Sequence, residues 1–174
     1  VDHIHHTTFA FVDIDENGDR SFNFDRDSGA DIFLNKEDIP ADSIRNSGIF
    51  HFGSLSLTDE PSKSATDYAL DIAKESGCIV SFDPNYRALL WENEETAVRT
   101  ILDYIKYADI MKVSREEATM LSGTYNMEKA AEKLTEMGIK ILLITDGASG
   151  VTYRHGKDIG FVPAISVKAI DTTG

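Results

Sequence analysis

Cysteine is nearly absent from these 174 residues. Cys78 stands alone, so no internal disulfide can form and the fold must rest on its packed core. Its position between Gly77 and Ile79, at the head of an apolar run, suits a small buried hydrophobe. A reducing compartment, the cytoplasm, is the expected location. Positive charge is scarce too. Seventeen Lys and Arg face 30 Asp and Glu, a formal net charge of -13. Such a surface repels phosphodiester backbones and anionic lipid, which argues against nucleic acid and membrane as partners. Hydrophobic runs stay short, and none approaches the ~20 residues of a membrane-spanning helix. Internal repeats and low-complexity segments are also missing. At 41% hydrophobic residues, the chain can close one core of ordinary domain size.

What is present is ordered in two styles. Thr7 to Ile14 and Arg20 to Phe24 are β-rich runs flanking Asn17-Gly18, which tolerate positive φ, and they predict a hairpin. A two-stranded ribbon is not stable alone, so it must pack on something. From Ile49 onward strands and helices alternate. Strands are expected at Ile49 to Phe52, Cys78 to Phe82, Ile110 to Val113, Ile139 to Thr145 and Val167 to Ile170. Helices are expected from a Thr58 cap to Gly77, from Glu94 to Tyr107, from Arg115 to Leu121 and from Met127 to Met137. Val151 to Arg154 and Ile159 to Val162 predict a further hairpin. The almost wholly apolar Ile139 to Thr145 suits a strand covered on both faces. Alternation of this kind implies parallel strands with right-handed crossovers, a doubly wound α/β layer to which the early hairpin is an appendage.

In such a sheet ligands collect at the carboxyl ends of the strands, and four polar segments fall there. Asp83-Pro84-Asn85-Tyr86-Arg87 places an acid and a guanidinium four apart in a stiffened turn. Arg87 held by Asp83 is either a rim ion pair that ties a loop or an arginine aimed at an anion or sugar hydroxyl. Ser114 and Glu117 have the spacing of a capping box. Lys112 is equally able to face phosphate or to snorkel to solvent. Thr145-Asp146-Gly147-Ala148-Ser149-Gly150 makes either a tight turn or a loop whose glycines admit a ligand close to the backbone. Beside a bound polyanion, the Asp146 side chain should turn away or bind hydroxyl groups. Asp171-Thr172-Thr173-Gly174 is the fourth segment. His51, inside an apolar strand, reads as a hydrogen-bonded core histidine, and His3, His5 and His6 lack the fourth partner of a metal site.

Phe50-His51-Phe52-Gly53-Ser54, Asp83-Pro84-Asn85-Tyr86-Arg87 with Leu90-Trp91, Lys112-Val113-Ser114-Arg115-Glu116-Glu117, Thr145 to Gly150 and Asp171 to Gly174 occur in that order. Together they closely resemble the ribokinase-like (PfkB-type) sugar kinases, in particular the fructokinase branch. The resemblance implies a ribokinase-like, mostly parallel sheet with a small β lid. Residues 7–30 would form part of the lid and 31–174 a partial α/β core of an interior piece of a longer protein. It implies ATP-dependent phosphorylation of a sugar primary hydroxyl, fructose to fructose 6-phosphate first, with 2-keto-3-deoxygluconate or another sugar as the alternative substrate. A non-catalytic sugar- or nucleotide-binding domain is the rival class.

Carried over residue by residue, Arg26, Asn85 and Arg87 would contact sugar, with Arg87 also catalytic. Lys112, Ser114, Glu117, Thr145, Gly147, Gly150, Thr172 and Gly174 would hold ATP, Ser114 standing where the family has Asn. Glu117 would organise Mg2+ through water, and Asp171 and Thr173 would serve a monovalent cation, K+. The family's base, the last Asp of Asp-Thr-x-Gly-Ala-Gly-Asp, falls outside this chain, so the 174 residues alone are expected to be inactive. The expected assembly is a homodimer through the lid.

Overall fold

The computed structural model describes residues 2–14 and 20–167. The Asn17-Gly18 turn, the Asp171–Gly174 run and most of the strand expected at Val167 to Ile170 lie outside the described residues. The hairpin is present as strands β1 (Phe9–Ile14) and β2 (Arg20–Asp25), paired antiparallel from Phe9 opposite Asp25 to Ile14 opposite Arg20. Strict alternation along the ribbon puts Phe9 and Phe11 on one face and Ala10 and Val12 on the other.

The body is a six-stranded sheet whose spatial order follows the chain: β3 (Ile49–Gly53), β4 (Ile79–Asp83), β5 (Ile110–Ser114), β6 (Ile141–Asp146), β7 (Gly150–His155) and β8 (Asp158–Pro163). The first four are parallel, β7 runs back antiparallel to β6, and β8 pairs antiparallel to β7 and so shares the direction of the first four. The short helix α1 (Ala41–Arg45) leads into β3. Helices α2 (Ser62–Glu75) and α3 (Glu94–Ile105) make the next two crossovers, and α4 (Arg115–Ser122) and α5 (Met127–Glu136) share the third. This is the α/β body with a mostly parallel sheet that the alternating pattern predicts.

Because the crossovers all step in one direction, right-handed connections stack the helices on one face. Phe52, Val80, Phe82, Met111, Val113, Leu142 and Ile144 project toward that layer and are buried. They meet Leu70, Ile101, Ile105 and Leu134 from the helices. Burial of each large side chain contributes about 1.5–3 kcal/mol. The opposite face differs from expectation. Ile79 is 46% exposed and Ile49 59%, and Ile141 and Leu143 of β6 are only half-buried. Among the described residues the second face of β6 is only partly covered.

Helix ends explain the remaining boundaries. Asn93, Ser114 and Asn126 each accept an amide of the first turn of α3, α4 and α5, and Gly123 closes α4 at φ 67°. The helix expected from a Thr58 cap begins instead at Ser62, after a 3-10 turn over Leu55–Leu57. The Thr58 hydroxyl is occupied elsewhere: it donates to Leu55 O and accepts from Arg26 Nη1.

Candidate active site

Two turns at the carboxyl end of the sheet are bolted together. Ser54, wholly buried after β3, donates its backbone N–H and its hydroxyl to Pro84 O, at 3.0 and 2.6 Å. Asp83 Oδ1 accepts Asn85 N–H at 3.2 Å, closing an Asx-type turn that holds Asn85 at φ 48°. Against these turns lies a cavity of about 600 Å³ lined by Ala30 and Asp31 from the segment that follows the hairpin, and by His51, Gly53, Leu55, Asp83 and Asn85 from the body. It is large enough for a monosaccharide. His51 is a correction: it is exposed rather than in the core, though Nδ1 does meet Ser81 Oγ at 3.0 Å.

Asn85 also lines a second cavity, of about 420 Å³, with Tyr86, Arg87, Lys112, Ser114 and Glu117. Asp83 is again a correction. Its ion-pair partner is Lys112 of the neighbouring strand, 3.2 Å from Oδ2, and not Arg87. Arg87 Nη1 donates to Tyr86 O at 2.9 Å. The capping box at the head of α4 is complete: Ser114 Oγ accepts Glu117 N–H at 3.1 Å, and Glu117 Oε2 accepts Ser114 N–H at 2.7 Å. Its other oxygen reaches further, accepting Tyr86 N–H at 2.7 Å. Glu117 is therefore a buried carboxylate tying the turn after β5 to the turn after β4. Burial, with Glu94 nearby, pushes the Tyr86 phenol above its usual range.

The turn from β6 to β7 borders the same end. Thr145 sits in register with Ser114 and donates to Val113 O at 3.3 Å. Gly147 has φ 46° and Gly150 φ 135°, and a Cβ on Gly150 would lie 2.2 Å from Val162 O. Asp146 turns aside, its Oδ2 2.7 Å from Arg115 Nη2. The hydrogen bond from Arg115 holds the Asp146 carboxyl below the ordinary range. Thr145, Gly147 and Gly150 line neither cavity, and Asp171, Thr172, Thr173 and Gly174 lie outside the described residues.

Arg26 departs from the expectation of a sugar contact. It is 7% exposed, and its guanidinium is spent on protein: Nε donates to Asp31 Oδ2, Nη1 to Thr58 Oγ1 and Nη2 to Leu55 O, each at 2.8 Å. Reasoning from sequence missed this knot, the Asp83–Lys112 pair and the Tyr86–Glu117 bond. All three join segments distant in the chain.

The whole chain, residues 1–174, matches the model for pfkB family carbohydrate kinases. It is 43% identical over 169 residues to fructokinase-2 of Oryza sativa subsp. japonica, covering 97% of this chain and 50% of the relative. Probable fructokinase-5 of Arabidopsis thaliana is 40% identical, with 97% and 52% covered. Among solved structures, fructokinase from Vibrio cholerae O395 with fructose, ADP and calcium ion bound superposes with a TM-score of 0.89 at 36% identity, over 99% of this chain and 56% of that one. Fructokinase with bound ATP from Xylella fastidiosa gives 0.86 at 32%, over 98% and 53%. The chain spans about half the length of the curated relatives it matches. Matched to the family model from residue 1 to residue 174, the chain belongs to the pfkB family of carbohydrate kinases.

Proposed function

We propose that the protein carrying this chain transfers the terminal phosphoryl group of ATP to a sugar primary hydroxyl, with fructose as acceptor and fructose 6-phosphate as product. One observation carries the reading: a monosaccharide-sized cavity under the lid and a cavity lined by Arg87, Lys112, Ser114 and Glu117 share a wall at Asn85. Fructokinase likeness along the chain supports fructose over other sugars.

Phosphoryl transfer asks a protein mainly to position two substrates and to neutralise charge spread over the migrating group. Asn85, held by its Asx turn, would orient the sugar at the boundary. Arg87 and Lys112 would supply positive charge on the phosphate side, Lys112 exchanging Asp83 for phosphate oxygen. Glu117 keeps free lone pairs after accepting two amides, which fits a magnesium ion that retains mostly water and phosphate ligands. Bound magnesium would screen the phosphate charge. Thr145, Gly147 and Gly150, and beyond them Thr172 and Gly174, would complete the nucleotide side, and Asp171 and Thr173 would serve a potassium ion.

A coupled assay for ADP release tests this in the kinase at its relatives' full length, against fructose, 2-keto-3-deoxygluconate and ribose. Fructose is expected to give the highest kcat/KM. Preference for another sugar, or binding without turnover, would contradict the proposal. We propose further that the 174 residues alone do not turn over, and that the lid face bearing Phe9 and Phe11, 53% and 55% exposed, pairs two copies. Sedimentation of the full-length kinase tests the pairing: the Phe11→Ser variant is expected to run as a monomer and its parent as a dimer.

A further inference from the structure

The knot at Arg26 lies where lid and body cross, and phosphoryl transfer as proposed makes no use of it. Both legs of the hairpin end on one carboxylate. Thr8, immediately before β1, donates its hydroxyl to Asp31 Oδ1, and Arg26, immediately after β2, donates Nε to Asp31 Oδ2. The other two guanidinium nitrogens cross to the body, to Thr58 Oγ1 and Leu55 O. Asp31 and Leu55 are both walls of the 600 Å³ cavity, one from each side. A single planar fork thus spaces the two walls.

We propose that Arg26 is a positioning residue that latches the lid over the sugar cavity and sets its width, and that it does not touch the sugar. The proposal rests on that cavity being the sugar site. Three physical facts favour a latch. An isolated two-stranded ribbon has no stability of its own, so the contacts at its base set its orientation. A buried guanidinium cannot shed one partner without stranding charge or a polar group, so the latch is made as a unit. Its donors point in three fixed directions from one plane, and lysine cannot reproduce that. Backbone bonds run beside it, from Ala30 N–H to His6 O and from Ser62 N–H to Ile32 O, and they fix where the return segment enters the body.

The test compares Arg26→Lys with the parent by two readouts. Amide hydrogen exchange on the 174-residue chain is expected to accelerate in β1 and β2 while β4 and β5 keep their protection. In the kinase at full length, the sugar KM is expected to rise about tenfold with the ATP KM unchanged. Thr58→Val, which removes one strut and keeps the arginine, should show the same lid-confined pattern at smaller amplitude, and it decides the matter if Arg26→Lys does not fold. Unchanged lid exchange overturns the latch, even with a raised sugar KM, because that pair of results marks a direct sugar ligand. Exchange that rises evenly through the sheet overturns it as well, marking a general structural role. If the parent phosphorylates no sugar, the kinase reading fails, and lid exchange still decides whether the latch exists.

Discussion

Glu117 serves the fold directly, and the proposed function gives it a chemical role as well. Its two oxygens accept the amides of Ser114 and Tyr86, so it builds a wall of the second cavity from protein contacts alone. Glu117→Gln would turn an NH2 toward one of those N–H groups, donor against donor. We expect a loss of about 1–3 kcal/mol in denaturant unfolding. In the full-length kinase, kcat/KM for ATP should fall about 10–100-fold; unchanged values for both would remove Glu117 from both roles. The capping box was legible because its two partners are three residues apart. The partner of Asp83 was not. Four-residue spacing suggested Arg87, whereas β4 and β5 lie side by side and bring Lys112 across the sheet. Register between strands is a tertiary fact that local spacing does not encode.

Among the elements, the sheet's amino end hangs on Asp109. Its backbone N–H donates to Val80 O, its Oδ2 accepts Val80 N–H at 2.9 Å, and its Oδ1 lies 2.7 Å from Lys140 Nζ. Burial pushes the Asp109 carboxyl upward, but the hydrogen bonds from Lys140 and Val80 outweigh it and hold the group below the ordinary range. A carboxyl lowered by folding stabilises the native state above its unfolded pKa, and the contribution disappears as pH falls through the lower folded value. Acid unfolding of the parent below about pH 4 should therefore be steeper than that of Asp109→Asn; parallel curves would contradict the assignment.

At the opposite end, Gly150→Ala forces a Cβ against Val162 O at a φ that L-residues avoid. About 1–3 kcal/mol of stability should be lost, with exchange in β7 and β8 rising first. Strands and the longer helices were legible from hydrophobic periodicity. The start of α2 was not, because Arg26, at the foot of the hairpin, claims the Thr58 hydroxyl. Helix α1, five residues long, is too short to show a period.

On the scale of the molecule, the partly covered second face of the sheet is the main departure from the sequence pattern. The apolar run in β6 signals two covered faces, yet Ile49 and Ile79 stand exposed beside half-buried Ile141 and Leu143. Exposed apolar faces of this kind associate. The 174-residue chain is expected to sediment as more than a monomer, and Ile49→Thr with Ile79→Thr to shift it toward monomer; a parent that stays monomeric at high concentration would contradict this. Family and fold were legible because short motifs recur at the carboxyl ends of successive strands in fixed order. The meeting of two cavities at Asn85 was not, since it depends on the Ser54 and Glu117 bonds between turns. The most direct test of that meeting is fructose-dependent ADP release by the full-length kinase, measured beside Arg87→Ala. The account predicts turnover by the parent and a fall in kcat of about 10²–10³-fold in the variant; a parent without fructose-dependent release, or a variant that matches it, would contradict the account.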